Sequence, residues 1–136
     1  MTKLPDPEDD LLYQGDWLTV RAMRRRNGHL PAVEWWDGLN EKGKGQFLAA
    51  AKTIETTLRS GRPPAGRAEK VQISKLGLWE LKVTKPGSTP PHLRVLYVRE
   101  GQTLWAATGF TKKTNELATK DVETGDTITS EWKEER

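Results

Sequence analysis

The sequence has no cysteine, which rules out disulfides and thiolate-held zinc and leaves folding to packing alone. It has two histidines and no Asp/Glu/His cluster near its strand-like segments, which disfavours a metal-dependent nuclease or phosphatase. No apolar run approaches the roughly 20 residues of a membrane span. The N-terminus lacks the basic-then-apolar order of a signal peptide. These absences imply a soluble chain of the cytoplasm with no membrane partner and no cofactor.

Hydrophobic residues make up 35% of the 136 and charged residues 30%, so one domain with a modest core is expected. Six tryptophans supply much of the apolar area, each removing roughly 150–250 Å² from water when buried. The net charge of +3 understates a segregation along the chain. Asp6, Glu8, Asp9 and Asp10 crowd one end, and Asp121, Glu123, Asp126, Glu131, Glu134 and Glu135 the other. Between Arg59 and Lys113 stand eleven Lys/Arg residues and three acids, Glu69, Glu80 and Glu100. A cationic middle of this kind suits a phosphate-rich partner.

Residues 1–12, with two prolines and four acids, read as a flexible acidic arm, leaving 13–136 as the folded domain. Trp17 to Met23 alternates at period two, as a half-buried strand does. Pro31 opens a short helix carrying Trp35 and Trp36, of which only one fits a narrow inward stripe. The clearest helix covers 41–60, where Phe47, Leu48, Ala51, Ile54 and Leu58 form an apolar stripe. Lys44, Lys52, Glu55 and Arg59 take other angles. Gly61 closes this helix with a left-handed residue, and Pro63 and Pro64 follow. Arg62 to Lys70 reads as a basic linker. Strands are expected at about 78–84, 93–99 and 103–109, with Trp79 and Trp105 in core phase and Glu100-Gly101-Gln102 turning the last two into a hairpin. Asp126 or Thr127 could cap a short C-terminal helix, though Ile128 and Trp132 give it thin apolar content. The class is α+β.

Three runs in the second half carry the most information: Gly77-Leu78-Trp79-Glu80-Leu81-Lys82-Val83, Arg94-Val95-Leu96-Tyr97 and Gly109-Phe110-Thr111-Lys112-Lys113-Thr114. Their order, after an amphipathic helix that ends in glycine, resembles the RelE/HigB superfamily of type II toxins, and within it the phage-derived HigB-like branch. The resemblance covers roughly Trp17 to Glu123. It implies a RelE-like fold, a small antiparallel-rich sheet packed against two N-terminal helices. It further implies a metal-independent, ribosome-dependent mRNA endonuclease (interferase) that halts translation. The implied partners are the ribosome, mRNA and a helix-turn-helix, HigA-like antitoxin, with DNA reached only through that antitoxin.

Cutting RNA without metal requires the 2′-hydroxyl to lose its proton and attack phosphorus in line while charge on the phosphorane oxygens is stabilised. Arginine stabilises that charge best, because its planar fork meets two oxygens at once. By the resemblance Arg94 is the arginine set against the scissile phosphate, and Lys82 and Lys112 complete the catalytic set. Lys113, Lys85, Glu80 and His92 are expected to contact RNA, with Glu80 orienting a cation or taking up a proton. The alternative for Arg94 is an ion pair with Glu80 on the adjoining strand. Arg24, Arg25 and Arg26, with Arg62, Arg67 and Lys70, read as solvated charge rather than a site.

The chain departs from the HigB-like pattern in two places. Thr108 stands where many such toxins have a histidine, with His92, a loop histidine, as a substitute. Asn115-Glu116-Leu117-Ala118 lacks the base-stacking tyrosine of some RelE toxins. A second reading is therefore a catalytically degenerate RelE-fold protein that binds RNA or acts as a co-repressor.

Overall fold

A computed structural model describes residues 9–64, 66–85, 87–112 and 118–136. The elements are β1 (Leu11–Gln14), β2 (Thr19–Ala22), α1 (Pro31–Asp37), α2 (Glu41–Arg59), β3 (Ala68–Lys70), β4 (Trp79–Lys82), β5 (His92–Glu100), β6 (Thr103–Lys112) and α3 (Thr119–Glu134). The strands form one six-stranded sheet ordered β1-β2-β6-β5-β4-β3. β2 and β6 run parallel, while the other neighbours are antiparallel. Gly101, at φ +61°, turns β5 into β6 as its sequence requires.

The α+β class stands, but the layout differs from the expected one. The two early helices lie between β2 and β3, and α3, a 16-residue helix rather than a short one, joins them. Alternation along the strands divides the core in two. Leu81, Val83, Val95, Tyr97 and Ala106 face Ala32 of α1 and Phe47, Ala51, Ile54 and Leu58 of α2. Leu78, Leu96 and Ala107 face Val122, Ile128 and Trp132 of α3. The central strand β5 is thus covered on both sides, and six of its nine residues are buried.

Several local expectations are corrected. Most of the acidic arm lies outside the described residues, and Leu11 and Leu12 belong to β1, where Leu12 joins the core. The end of the supposed linker forms β3 against β4. Leu48 is exposed, and Ala50 takes its place in the α2 stripe. Trp35 and Trp36 both pack edge-on against Phe47, with centroids 6.0 and 5.5 Å away. Both fit because Trp35 lies over the backbone of Gly109, where a β-carbon would meet its ring at 2.2 Å.

Glu55 is not on a solvated face. Its carboxylate accepts from Tyr13 Oη at 2.7 Å and from the backbone N–H groups of Trp17 and Leu18 at 2.8 and 2.6 Å. It ties the β1–β2 turn to α2. These hydrogen bonds hold its pKa below the usual carboxylate value against the opposing effect of burial.

Candidate functional site

The pairing registers set the predicted residues in a grid on the sheet face that meets α3. Lys82 is opposite Arg94, which is opposite Phe110; Glu80 is opposite Leu96, which is opposite Thr108; His92 is opposite Lys112. Cross-strand partners project to one side, as do residues two apart on a strand. Leu96 packs with α3, which fixes the side. Glu80, Lys82, His92, Arg94, Thr108, Phe110 and Lys112 therefore share one face, with Arg94 at the centre.

The charges interact across this grid. Arg94 Nε lies 3.8 Å from Glu80 Oε2, within ion-pair reach but too long for a hydrogen bond. Glu80 Oε2 has no hydrogen-bond partner among the described residues. Burial raises the Glu80 pKa, and the positive charges of Arg94, Lys82 and Lys112 only partly offset it. Burial likewise lowers that of Arg94, against the pull of Glu80 and Glu69. The pair is held together at a depth that disfavours both charges.

Lys82 pairs with Glu69 on β3. Lys112 pairs with Asp121 in the first turn of α3 at 3.1 Å, and its ammonium sits 5.3 Å from the Phe110 ring centroid.

Arg94 is 2% exposed, Glu80 7% and His92 4%. An open cationic platform is therefore not what this conformation presents. His92 is the first residue of β5 and not an exposed loop histidine. Its Nδ1 is buried without a hydrogen-bond partner among the described residues. Lys85 is exposed beyond the end of β4, outside the grid. Lys113 and the segment Asn115–Leu117 lie outside the described residues.

The reading of the residues missed Glu69, Asp121 and Phe110. The two acids are partners from β3 and α3, and the β3 pairing and the α3 docking bring them close. Arg67 proves to be a structural brace, donating from Nε and Nη2 to the carbonyls of Lys82 and Val83, both at 3.1 Å. Arg25 and Arg26 are engaged by Glu131 and Glu134 of α3, so this basic run fastens a helix.

The family model described as phage-derived protein Gp49-like matches residues 34–129, which takes in the end of α1, all of α2 and β3 to β6, and most of α3. No curated protein matches the chain. Because the match spans well over half the sequence and every residue of the grid, the chain belongs to the Gp49-like family of phage-derived proteins, a RelE/HigB-like toxin family of toxin–antitoxin systems whose members imply a cognate antitoxin.

Proposed function

We propose that this chain is the toxin of a type II pair and a metal-independent, ribosome-dependent mRNA endonuclease of the HigB-like branch, acting in the cytoplasm to inhibit translation. The observation that carries this reading is the grid. One arginine has a carboxylate within ion-pair reach and lysines on both neighbouring strands, all on one sheet face. Arg94 meets the non-bridging oxygens of the scissile phosphate and stabilises charge as the phosphorane forms. Lys82 and Lys112 grip the same link, and Lys113 and Lys85 hold the backbone beyond it. Glu80 takes the 2′-hydroxyl proton, since a desolvated carboxylate is a stronger base than one in water.

The buried centre bears on regulation. RNA reaches Arg94 when side chains on the α3 face give way, and the Lys112–Asp121 pair is one contact that must yield. The partner is a helix-turn-helix, HigA-like antitoxin, and through it the complex meets promoter DNA.

Induced expression of the wild type should arrest growth and leave cuts in translated mRNA at mapped 5′ ends. Arg94→Ala should restore growth while keeping the wild-type circular dichroism spectrum. The burial of Arg94 beside Glu80, together with Thr108, favours one competing reading, a degenerate RNA-binding protein or co-repressor in which the pair is structural. Harmless wild-type expression with no cleavage on translating ribosomes would establish that reading instead.

A further inference from the structure

In-line displacement at phosphorus places the entering 2′-oxygen and the departing 5′-oxygen on opposite sides of the reacting atom. The base and the acid must therefore flank the group that holds the phosphate. Arg94 has such flanks. Glu80 lies one strand across and two residues toward one end of β5, and His92 lies two residues along β5 toward the other. Two residues of strand span about 6.6 Å, so a phosphate on the arginine fork would lie between the two flanks.

The two flanks share a second property. Glu80 Oε2 and His92 Nδ1 are the buried side-chain polar atoms on this face without hydrogen-bond partners among the described residues. Natural proteins rarely leave such atoms unsatisfied, and a site awaiting its substrate is one reason they do. The other candidates for proton donor are poorly suited. Thr108 Oγ1 is turned to the Gly109 carbonyl at 3.2 Å, and Lys82 and Lys112, one on each neighbouring strand, are taken up as cations on the phosphate oxygens.

Resting on the nuclease reading above, we infer that His92 is the general acid of the cleavage. The step balances. The O2′–P bond forms as the 2′ proton passes to Glu80, and the P–O5′ bond breaks as the His92 imidazolium gives its proton to O5′. The products are a 2′,3′-cyclic phosphate and a 5′-hydroxyl, with Glu80 protonated and His92 neutral until water restores both.

Leaving-group replacement tests this directly. Ribosomes are programmed with a defined mRNA carrying either the ordinary 5′-oxygen or a bridging 5′-sulfur at the cleaved link; a thiolate departs without a proton. His92→Ala should slow cleavage of the oxygen link by about 100-fold or more and of the sulfur link by less than about tenfold. Arg94→Ala should slow both. His92→Gln, which preserves volume and polarity, should behave like the alanine variant.

If neither histidine variant folds, the wild type alone decides. The oxygen-link rate should fall at high pH while the sulfur-link rate does not. The other charged groups on this face (Glu80, Lys82, Arg94, Lys112, and Asp121 on α3) affect both links alike. Equal loss on the two links, near-wild-type rates in the histidine variants, or parallel pH profiles would each overturn the assignment of His92 alone. A wild type that cuts neither link would overturn the nuclease reading and this assignment with it.

Discussion

Arg94 and Glu80 occupy a place that favours neither charge, and that tension has measurable consequences. Burial raises the Glu80 pKa in the folded chain. Ionising this carboxyl therefore lowers stability as pH climbs from the unfolded value through the folded one; below the unfolded value the penalty is absent. Glu80→Gln should accordingly gain stability relative to the wild type between pH 4 and pH 7, as read from thermal unfolding at the two pH values. The same variant should cut RNA about 100-fold more slowly or worse, because the base is gone. A structural pair would give the opposite pattern, loss of stability with activity intact. Arg94→Ala should cost more cleavage activity than Lys113→Ala, since transition-state charge is concentrated at one phosphate while backbone grip is shared among many cations. Which residues to mutate was legible in the sequence, because alternation alone puts Glu80 and Lys82 on one side of a strand. The burial of Glu80 and Arg94 was not, since it depends on how β4, β5 and β6 pair and pack.

Elements were legible where their period was strong and hidden where it was short. The 19 residues of α2 declare themselves by spacing. β1 and β3, of four and three residues, are held at the sheet edges by hydrogen bonds to a neighbour and have too few positions to show a pattern. α3 seemed thin because its inward stripe is Val122, Gly125, Ile128, Thr129 and Trp132. Glycine and threonine do not count as apolar, yet Gly125 lets the helix lie against Leu78 and Leu96, where a β-carbon would come within 2.9 and 2.8 Å of their methyl carbons. The two ends of α3 respond to different tests. Near its C-terminal end Glu131 accepts from Arg25 and from the Arg26 backbone N–H, and these bonds pull its pKa down from 4.5 to about 2. A depressed carboxyl contributes stability above its unfolded pKa and loses it as pH falls through the folded value. The wild type should thus melt higher than Glu131→Gln above pH 4.5, and the gap should close between there and pH 2. At the N-terminal end, Asp121→Asn should remove the Lys112–Asp121 pair and tighten RNA binding by about two- to fivefold, the worth of a partly exposed ion pair; unchanged affinity in a titration would show that this contact does not restrict the site.

At the scale of the molecule, part of the charge segregation seen along the chain is offset on folding. Arg21 pairs with Asp10, Lys82 with Glu69, Arg25 with Glu131, Lys112 with Asp121 and Arg136 with Glu100. Composition could show the cationic middle but not this pairing, which sets Asp121 of α3 against Lys112 and Glu69 of β3 against Lys82. A broad unopposed basic surface would bind RNA through many phosphates at once. The proposed site is a compact contact instead, centred on Arg94, Lys82 and Lys112. Each neutralised phosphate on a single strand contributes about −0.7 to the slope of log affinity against log salt, so three contacts should give roughly −2. Fluorescence anisotropy on a short single-stranded RNA without ribosomes measures that slope. Lys82→Ala or Lys112→Ala should make it shallower by about 0.7 each. A slope near zero would mean that the grid does not hold phosphate. One as steep as about −6, insensitive to both lysines, would place the contact elsewhere, on arginines that the fold now gives to Glu131, Glu134 and Glu100 and that RNA would have to take from them.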